Sequence, residues 1–231
     1  VEHWYIMNGT PYRLTTYNFF KDRRDIRNIF YSKGKDSVGR NYFVLTDSGN
    51  VYAWGENAYG KLGLGTTDEV TEPTLVNLDG VKGIVANSSN TIFLTDKGEV
   101  YYSGYASSAT TVLPKKILND IKLILGNVQS SDFAYLDQGN TLHNLDIGSA
   151  HDSILLVRNY DYIDVGRYNF TDIIGIKDGK VYVGKEQTLV DGISNAVGAS
   201  AFDGTQYIYT ADGMLFALGK NNINYNDTAG I

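Results

Sequence analysis

Cysteine is absent from this 231-residue chain, which removes disulfides and thiolate metal sites from consideration and leaves the redox compartment open. Long apolar runs are also missing. No stretch approaches the roughly 20 residues that cross a bilayer as a helix, and no charged-then-apolar signal opens the chain, so membrane insertion is not expected. Basic surplus is lacking as well: the net charge is −6. A sequence-independent grip on nucleic acid needs Lys and Arg concentrated on one face, so no nucleic-acid partner is expected. The one basic cluster, Lys21, Arg23, Arg24 and Arg27, is interrupted by Asp22 and Asp25 and reads as a solvated loop. An initiator Met is missing before Val1, which reads as a processed chain or a fragment.

What is present is a repeat. A short apolar strand, a turn centred on Gly and a second strand rich in Tyr and Val recur six times, around Gly9, Gly49, Gly98, Gly139, Gly179 and Gly213. The turn glycines are 40, 49, 41, 40 and 34 residues apart, the spacing of one propeller blade per repeat. Gly, or a neighbouring Asn or Asp, supplies the positive φ that tight hairpins need, and the flanking β-branched and aromatic residues suit a pleated, half-buried surface. Between hairpins a second pair of apolar segments recurs: Pro73 to Val76 with Val81 to Val85, and Pro114 to Ile117 with Ile121 to Leu125. Leu189 and Val190 with Ile193 to Val197 repeat it, and Ile26 to Phe30 supplies the final part of the first copy. Ile117, Ile121 and Ile124 also fit helical spacing, but Asn119 and Asp120 interrupt it, and strand is the expectation. The expected fold is therefore all-β: a β-propeller of four-stranded antiparallel blades, with 1–231 a single propeller domain or propeller fragment.

The second copy is the most specific. Its run is Leu45, Thr46, Asp47, Ser48, Gly49, Asn50, Val51, Tyr52, Ala53, Trp54, Gly55, Glu56, Asn57, Ala58, Tyr59, Gly60, Lys61, Leu62, Gly63, Leu64 and Gly65, followed by Pro73 and Val76. It resembles the regulator of chromosome condensation repeat, in which a strand ending in Trp-Gly leads through Asn and Gly-Gln-Leu-Gly to a proline-marked strand. Leu218, Gly219 and Asn221 echo it in the last copy, and Ser103 with Gly104 in the third. The fourth copy, around Leu142, His143, Asn144 and Leu145, is the most degenerate. The resemblance implies a seven-bladed ring, of which six hairpins are visible, closed by further sequence or by another chain. The family's His ahead of the inner strand is replaced by Asn41, Asn90, Ser131, Thr171 and Thr205, so its hydrogen bonds must be made otherwise.

Motifs that could carry chemistry are absorbed by the repeat. Gly55 to Lys61 matches the start of a phosphate-binding loop, but Leu62 stands where Ser or Thr should bind Mg²⁺ and a glycine-broken loop replaces the helix. Thr46 to Gly49 and Thr95 to Gly98 resemble Asp-box turns of sialidases, but Leu45 and Leu94 do not supply the hydroxyl those turns need, and no arginine trio is evident. His3, His143 and His151 lack metal-ligand spacing, and Asn221, Asn222, Asn224, Asn226 and Asp227 are too irregular for a calcium loop. No catalytic residue, metal or cofactor is expected.

The aromatics remain: eighteen Tyr in the chain. Tyr52, Tyr101 and Tyr182 share one repeat slot and read as structural, as does Trp54. Tyr59, Tyr105 and Tyr225 are expected in the variable loops that follow the hairpins, and with Lys61 they form the expected partner-binding set. The resemblance implies a non-enzymatic recognition or scaffold module inside a larger protein, with a protein partner. The alternative is a glycan-binding surface or phage-tail protein, and a sialidase-like hydrolase ranks third. The Asn- and Tyr-rich composition leans toward an extracellular or virion setting without fixing one.

Overall fold

The structure is a computed structural model and describes residues 2–7, 10–16, 18–33, 40–106, 109–126, 132–148, 151–157, 159–166, 172–202 and 205–219. Two compact units divide at residue 121. The first holds a hairpin of β1 (Glu2–Met7) and β2 (Thr10–Thr16), a 3-10 turn over Asn18–Phe20, and two four-stranded sheets. These sheets are β3 (Ile26–Lys33), β4 (Arg40–Thr46), β5 (Val51–Gly55), β6 (Val70–Leu75), and then β7 (Val81–Ala86), β8 (Asn90–Thr95), β9 (Val100–Ala106), β10 (Ala109–Leu118). The second has β11 (Ile121–Leu125), β12 (Asp132–Asp137), β13 (Thr141–Asp146), β14 (His151–Val157) in one sheet and β15 (Tyr162–Val165), β16 (Ile173–Lys177), β17 (Lys180–Val183), β18 (Thr188–Leu189) in the next. A three-stranded sheet, β19 (Ala196–Phe202), β20 (Thr205–Thr210) and β21 (Leu215–Gly219), follows. In each sheet the strands lie in chain order, as in a propeller blade.

All six expected hairpins pair, and Lys115 to Leu125 is strand rather than helix, divided at Asn119 and Asp120 between β10 and β11. The hairpin turns follow a local rule. In Thr46–Asn50, Thr95–Glu99 and Thr210–Met214 the Thr hydroxyl accepts the N–H four residues on, at 3.1, 3.2 and 3.2 Å. The Gly one step earlier takes a positive φ of 81°, 77° and 86°. The fourth copy departs: Asp137 replaces the Thr, accepting Thr141 N–H through its carboxylate at 2.8 Å, and Asn140 rather than Gly139 takes the left-handed conformation. The Gly9 turn lies outside the described residues.

Alternate residues of each hairpin serve opposite faces. Phe43, Leu45, Val51 and Ala53 pack against Val81, Ile84 and Phe93 of the following sheet. In the second unit, Ile173 packs with Ala134, Leu136 and Leu142, while its neighbour Ile174 packs with Ala199, Ala201 and Ile208. Burying each such Phe, Leu or Ile contributes about 1.5–3 kcal/mol, so the sheet faces carry most of the stability.

Successive repeats are also joined through backbone. Val81 N–H donates to Gly49 C=O (3.0 Å) and Asp96 N–H to Gly80 C=O (2.8 Å). Ala196 N–H donates to Gly179 C=O (3.0 Å) and Ala211 N–H to Asn195 C=O (2.9 Å). The Gly49 and Gly179 turns are thus hydrogen-bonded to the first residue of the strand that opens the next repeat, and that strand's start is in turn bonded to the hairpin turn of its own sheet.

This geometry corrects one expected strand. The opening strand of the last repeat begins at Ala196, not Ile193: β3, β7 and β19 share a bulge after Ile26, Val81 and Ala196, which fixes their mutual register. Ile193 instead fills the core from the preceding loop.

Candidate functional site

The fingerprint loop begins where β5 ends. Gly55 has φ +107°, and a Cβ there would lie 2.1 Å from the Arg40 carbonyl oxygen, so only glycine allows the strand ends to approach. Gly104 occupies the same slot in the third repeat, with φ +122° and the Ser89 oxygen 2.3 Å from a Cβ. Opposite these glycines stand the Asn residues that replace the family's His. Asn41 is fully buried, accepts from Ser32 Oγ and donates to the Glu56 carbonyl. Asn90 is likewise buried. Amides therefore make the internal hydrogen bonds at this position.

Asn57 organises the turn that follows. Its Oδ1 accepts Leu62 N–H at 3.0 Å and its Nδ2 donates to the Thr66 carbonyl at 2.8 Å. Leu62 then points into the core between the two sheets of the first unit. Gly60 packs on Val112 and Gly63 beside Pro114, while Gly65 N–H donates to Val112 C=O at 2.8 Å. The loop thus lies across β10 and fastens one sheet to the next.

Lys61 completes that fastening. Its ammonium, fully buried, lies 2.7 Å from Glu56 Oε2 and donates to Ser88 C=O at 2.8 Å, while its own carbonyl accepts Ser103 Oγ at 3.0 Å. Burial pulls the Lys61 pKa below its ordinary value against the attraction of Glu56. Burial opposes the Glu56 charge too, but hydrogen bonds from Lys61 and from Ala58 N–H outweigh it and hold that carboxyl below the ordinary range. Expected to face a partner, Lys61 is instead turned inward, because the glycine-rich loop folds back onto the neighbouring sheet.

Outside this frame lie Tyr59 and Tyr105. Tyr59, half-buried, projects from the loop; Tyr105 lies on β9, in a strand rather than a loop, and is 39% exposed. Their ring centroids are 5.3 Å apart at an interplanar angle of 37°. Two repeats thus place one aromatic pair at the same end of adjacent sheets. Tyr225 and the Asn-rich segment from Asn221 to Asp227 lie outside the described residues.

A turn-to-turn spacing of about 40 residues, four-stranded antiparallel sheets in chain order and this glycine-framed loop all converge with one comparison. The profile of the regulator of chromosome condensation (RCC1) repeat matches residues 48–93. The chain is an RCC1-repeat β-propeller. Protein RCC1 of Candida albicans is 30% identical over 121 residues, 47% of this chain and 26% of that protein. The human E3 ubiquitin-protein ligase HERC2 is 46% identical over 55 residues, 22% of this chain and 1% of that one. The RCC1-repeat chain thus spans about a quarter or less of these relatives. Among solved structures, human WBSCR16 matches with a TM-score of 0.57 and 18% identity, covering 78% of this chain and 60% of that one. A chain of the nidogen/laminin complex matches with a TM-score of 0.55 and 8% identity, covering 94% and 85%. These two likenesses bear on fold alone.

A polar group around His143, which lacks metal-ligand spacing in the sequence, lies in the degenerate fourth repeat. The His143 ring stacks on Tyr135 (centroids 4.6 Å, 3°), with Nε2 3.2 Å from Asp137 Oδ2 and Nδ1 3.4 Å from Asp152 Oδ1. Tyr135 donates to Asp152 Oδ2 at 2.8 Å, and burial, then that hydrogen bond, push its phenol pKa up. Register explains the grouping: His143 pairs with Tyr135 on β12, which no sequence motif signals. Among the described residues no group of three His, Cys, Asp or Glu is arranged to hold a metal ion.

Proposed function

We propose that this RCC1-repeat chain is a non-enzymatic protein-recognition module, and that Tyr59 and Tyr105 form its contact surface. The observation that carries the reading is the tilted Tyr59–Tyr105 pair, one ring on the loop that Asn57, Lys61 and Leu62 fix from beneath and the other on β9 of the next sheet. Two-torsion aromatic side chains on a rigid base lose little entropy on binding, and Tyr is enriched at the energetic centre of protein interfaces. The inward Lys61 supports the non-enzymatic part: the ammonium that a phosphate-binding loop would offer its ligand is held by Glu56 and the Ser88 carbonyl. Protein recognition also fits the kind of repeat, although fold alone does not give function.

Photo-crosslinking tests the reading. A benzophenone amino acid at position 59 or 105 is expected to crosslink one and the same protein from the source cell, and the same probe at exposed Lys97 on a hairpin tip is not. Equal labelling from all three positions, or binding to a glycan array that Tyr59→Ala removes in the absence of any crosslinked protein, contradicts it.

A further inference from the structure

Three strands of the fourth repeat meet at one imidazole. His143 lies on β13, with Tyr135 opposite it on β12 and Ile154 opposite it on β14. Its side chain is 14% exposed, the ring lies flat on that of Tyr135, and each ring nitrogen faces a carboxylate oxygen. Nε2 is 3.2 Å from Asp137 Oδ2 at the end of β12, and Nδ1 is 3.4 Å from Asp152 Oδ1 on β14. The turn bond gives the register with the other repeats: Asp137 takes the slot of Thr46, Thr95 and Thr210, and His143, six residues on, that of Tyr52, Tyr101 and Phe216. The carboxylate and the imidazole thus replace a hydroxyl and an aromatic ring at two slots that face each other.

Each carboxylate already has one oxygen engaged. Asp137 Oδ1 accepts Thr141 N–H at 2.8 Å, closing the hairpin turn, and Asp152 Oδ2 accepts the Tyr135 hydroxyl at 2.8 Å. The oxygen left over in each is the one turned to the imidazole. Burial opposes the Asp137 charge, but Thr141 N–H and His143 outweigh it and hold that carboxyl below its ordinary range. The titratable groups facing the ring are therefore Tyr135 and Asp137 from β12 and Asp152 from β14, and among the described residues neither carboxylate pairs with a Lys or Arg. The imidazole is the group placed to bring them a positive charge.

A neutral imidazole has one N–H and one bare lone pair, while an ionised carboxylate only accepts. One ring nitrogen therefore confronts its carboxylate without a proton to share. Nδ1 is that atom here: it is buried and, among the described residues, makes no hydrogen bond. An imidazolium has an N–H for each carboxylate, and both bonds are then charge-assisted. We propose that the fourth repeat carries a proton-operated clasp, in which a proton taken up by His143 links Asp137 and the β12–β13 turn to Asp152 on β14. Release of the proton undoes the link at Nδ1. The turn and the outer strand of this sheet are thereby held more firmly in mild acid than at neutral pH.

Urea unfolding of wild type and His143→Gln from about pH 8 to about pH 5, the range in which imidazoles change charge, is the test. Groups common to both chains cancel in the ratio of the two unfolding constants. A proton held more tightly by the folded than by the unfolded chain adds stability as pH falls, so wild type is expected to gain on the variant by at least about threefold across that range. Asp152→Asn keeps the ring, the Asp137 contact and an acceptor for Tyr135, and is expected to lose most of that gain. Amide-exchange protection of the 137–141 turn and of β14, corrected for intrinsic rates, is expected to rise in acid in wild type and in neither variant, which separates the clasp from titration of His3 or His151. A ratio that stays flat with pH, a wild type that loses ground to His143→Gln in acid, or an Asp152→Asn chain that keeps the full gain overturns the proposal. Should His143→Gln fail to fold, the comparison of Asp152→Asn with wild type carries the test with the same expected sign.

Discussion

Gly49 sits against Gly80 so closely that a Cβ built on Gly49 would lie 2.8 Å from the Gly80 Cα. Gly213 occupies the same turn position in the last repeat, also with positive φ, but nothing lies within 4 Å of its Cβ position. Gly213→Ala is therefore expected to cost about 1 kcal/mol, the left-handed penalty alone. Gly49→Ala carries that penalty and a backbone clash, about 1–3 kcal/mol more. Urea denaturation of the two variants checks the difference; equal losses would mean that the turn does not press on the next repeat.

Thr46 and Thr210 each accept an N–H four residues on, in different sheets with no shared partner. Replacing either by Val keeps the shape and removes the acceptor, which is expected to cost about 1 kcal/mol each. The double variant is expected to lose about the sum. Chemical denaturation of the two single variants and the double checks this.

These turns show what was legible in the sequence. The hairpin spacing, the five described turns and the strands on either side of Asn119 are legible because each is set by residues within a few positions. The role of the Thr hydroxyls is not legible, because the N–H four residues on comes within reach only once the turn has closed. The last opening strand was misplaced by three residues because Ile193, an apolar loop residue, resembles a strand start; only pairing with β20 fixes the register. At the site, the place of Tyr59 and Tyr105 just after their hairpins is legible, but their contact is not, since it joins residues of two repeats. The inward turn of Lys61 is not legible, because nothing local says which way a loop folds back.

Lys61 and Glu56 give a graded prediction. Lys61→Ala removes both the charge and the buried stem and is expected to cost about 3 kcal/mol. Lys61→Met keeps an apolar stem in place and is expected to lose less. Thermal unfolding of both variants orders the two effects; equal losses would mean that packing of the stem contributes nothing.

Glu56→Gln is expected to be pH-dependent. The Glu56 carboxyl titrates lower in the folded chain than its ordinary value of 4.5, so its contribution is complete above that pH and is lost as pH falls through the folded value. Stability measured by urea titration at neutral pH should show a loss of about 1–2 kcal/mol for the variant. The gap to wild type should close in acid. A gap that widens in acid would contradict the ion pair.

The central claim is that the fingerprint loop is a frame and the Tyr59–Tyr105 pair its contact. The most direct measurement is quantitative capture from the source cell, comparing wild type with Tyr59→Ala/Tyr105→Ala alongside thermal unfolding of both. The account predicts a melting temperature close to wild type and loss of the protein crosslinked from position 59. Retention of that protein by a folded double variant would contradict it.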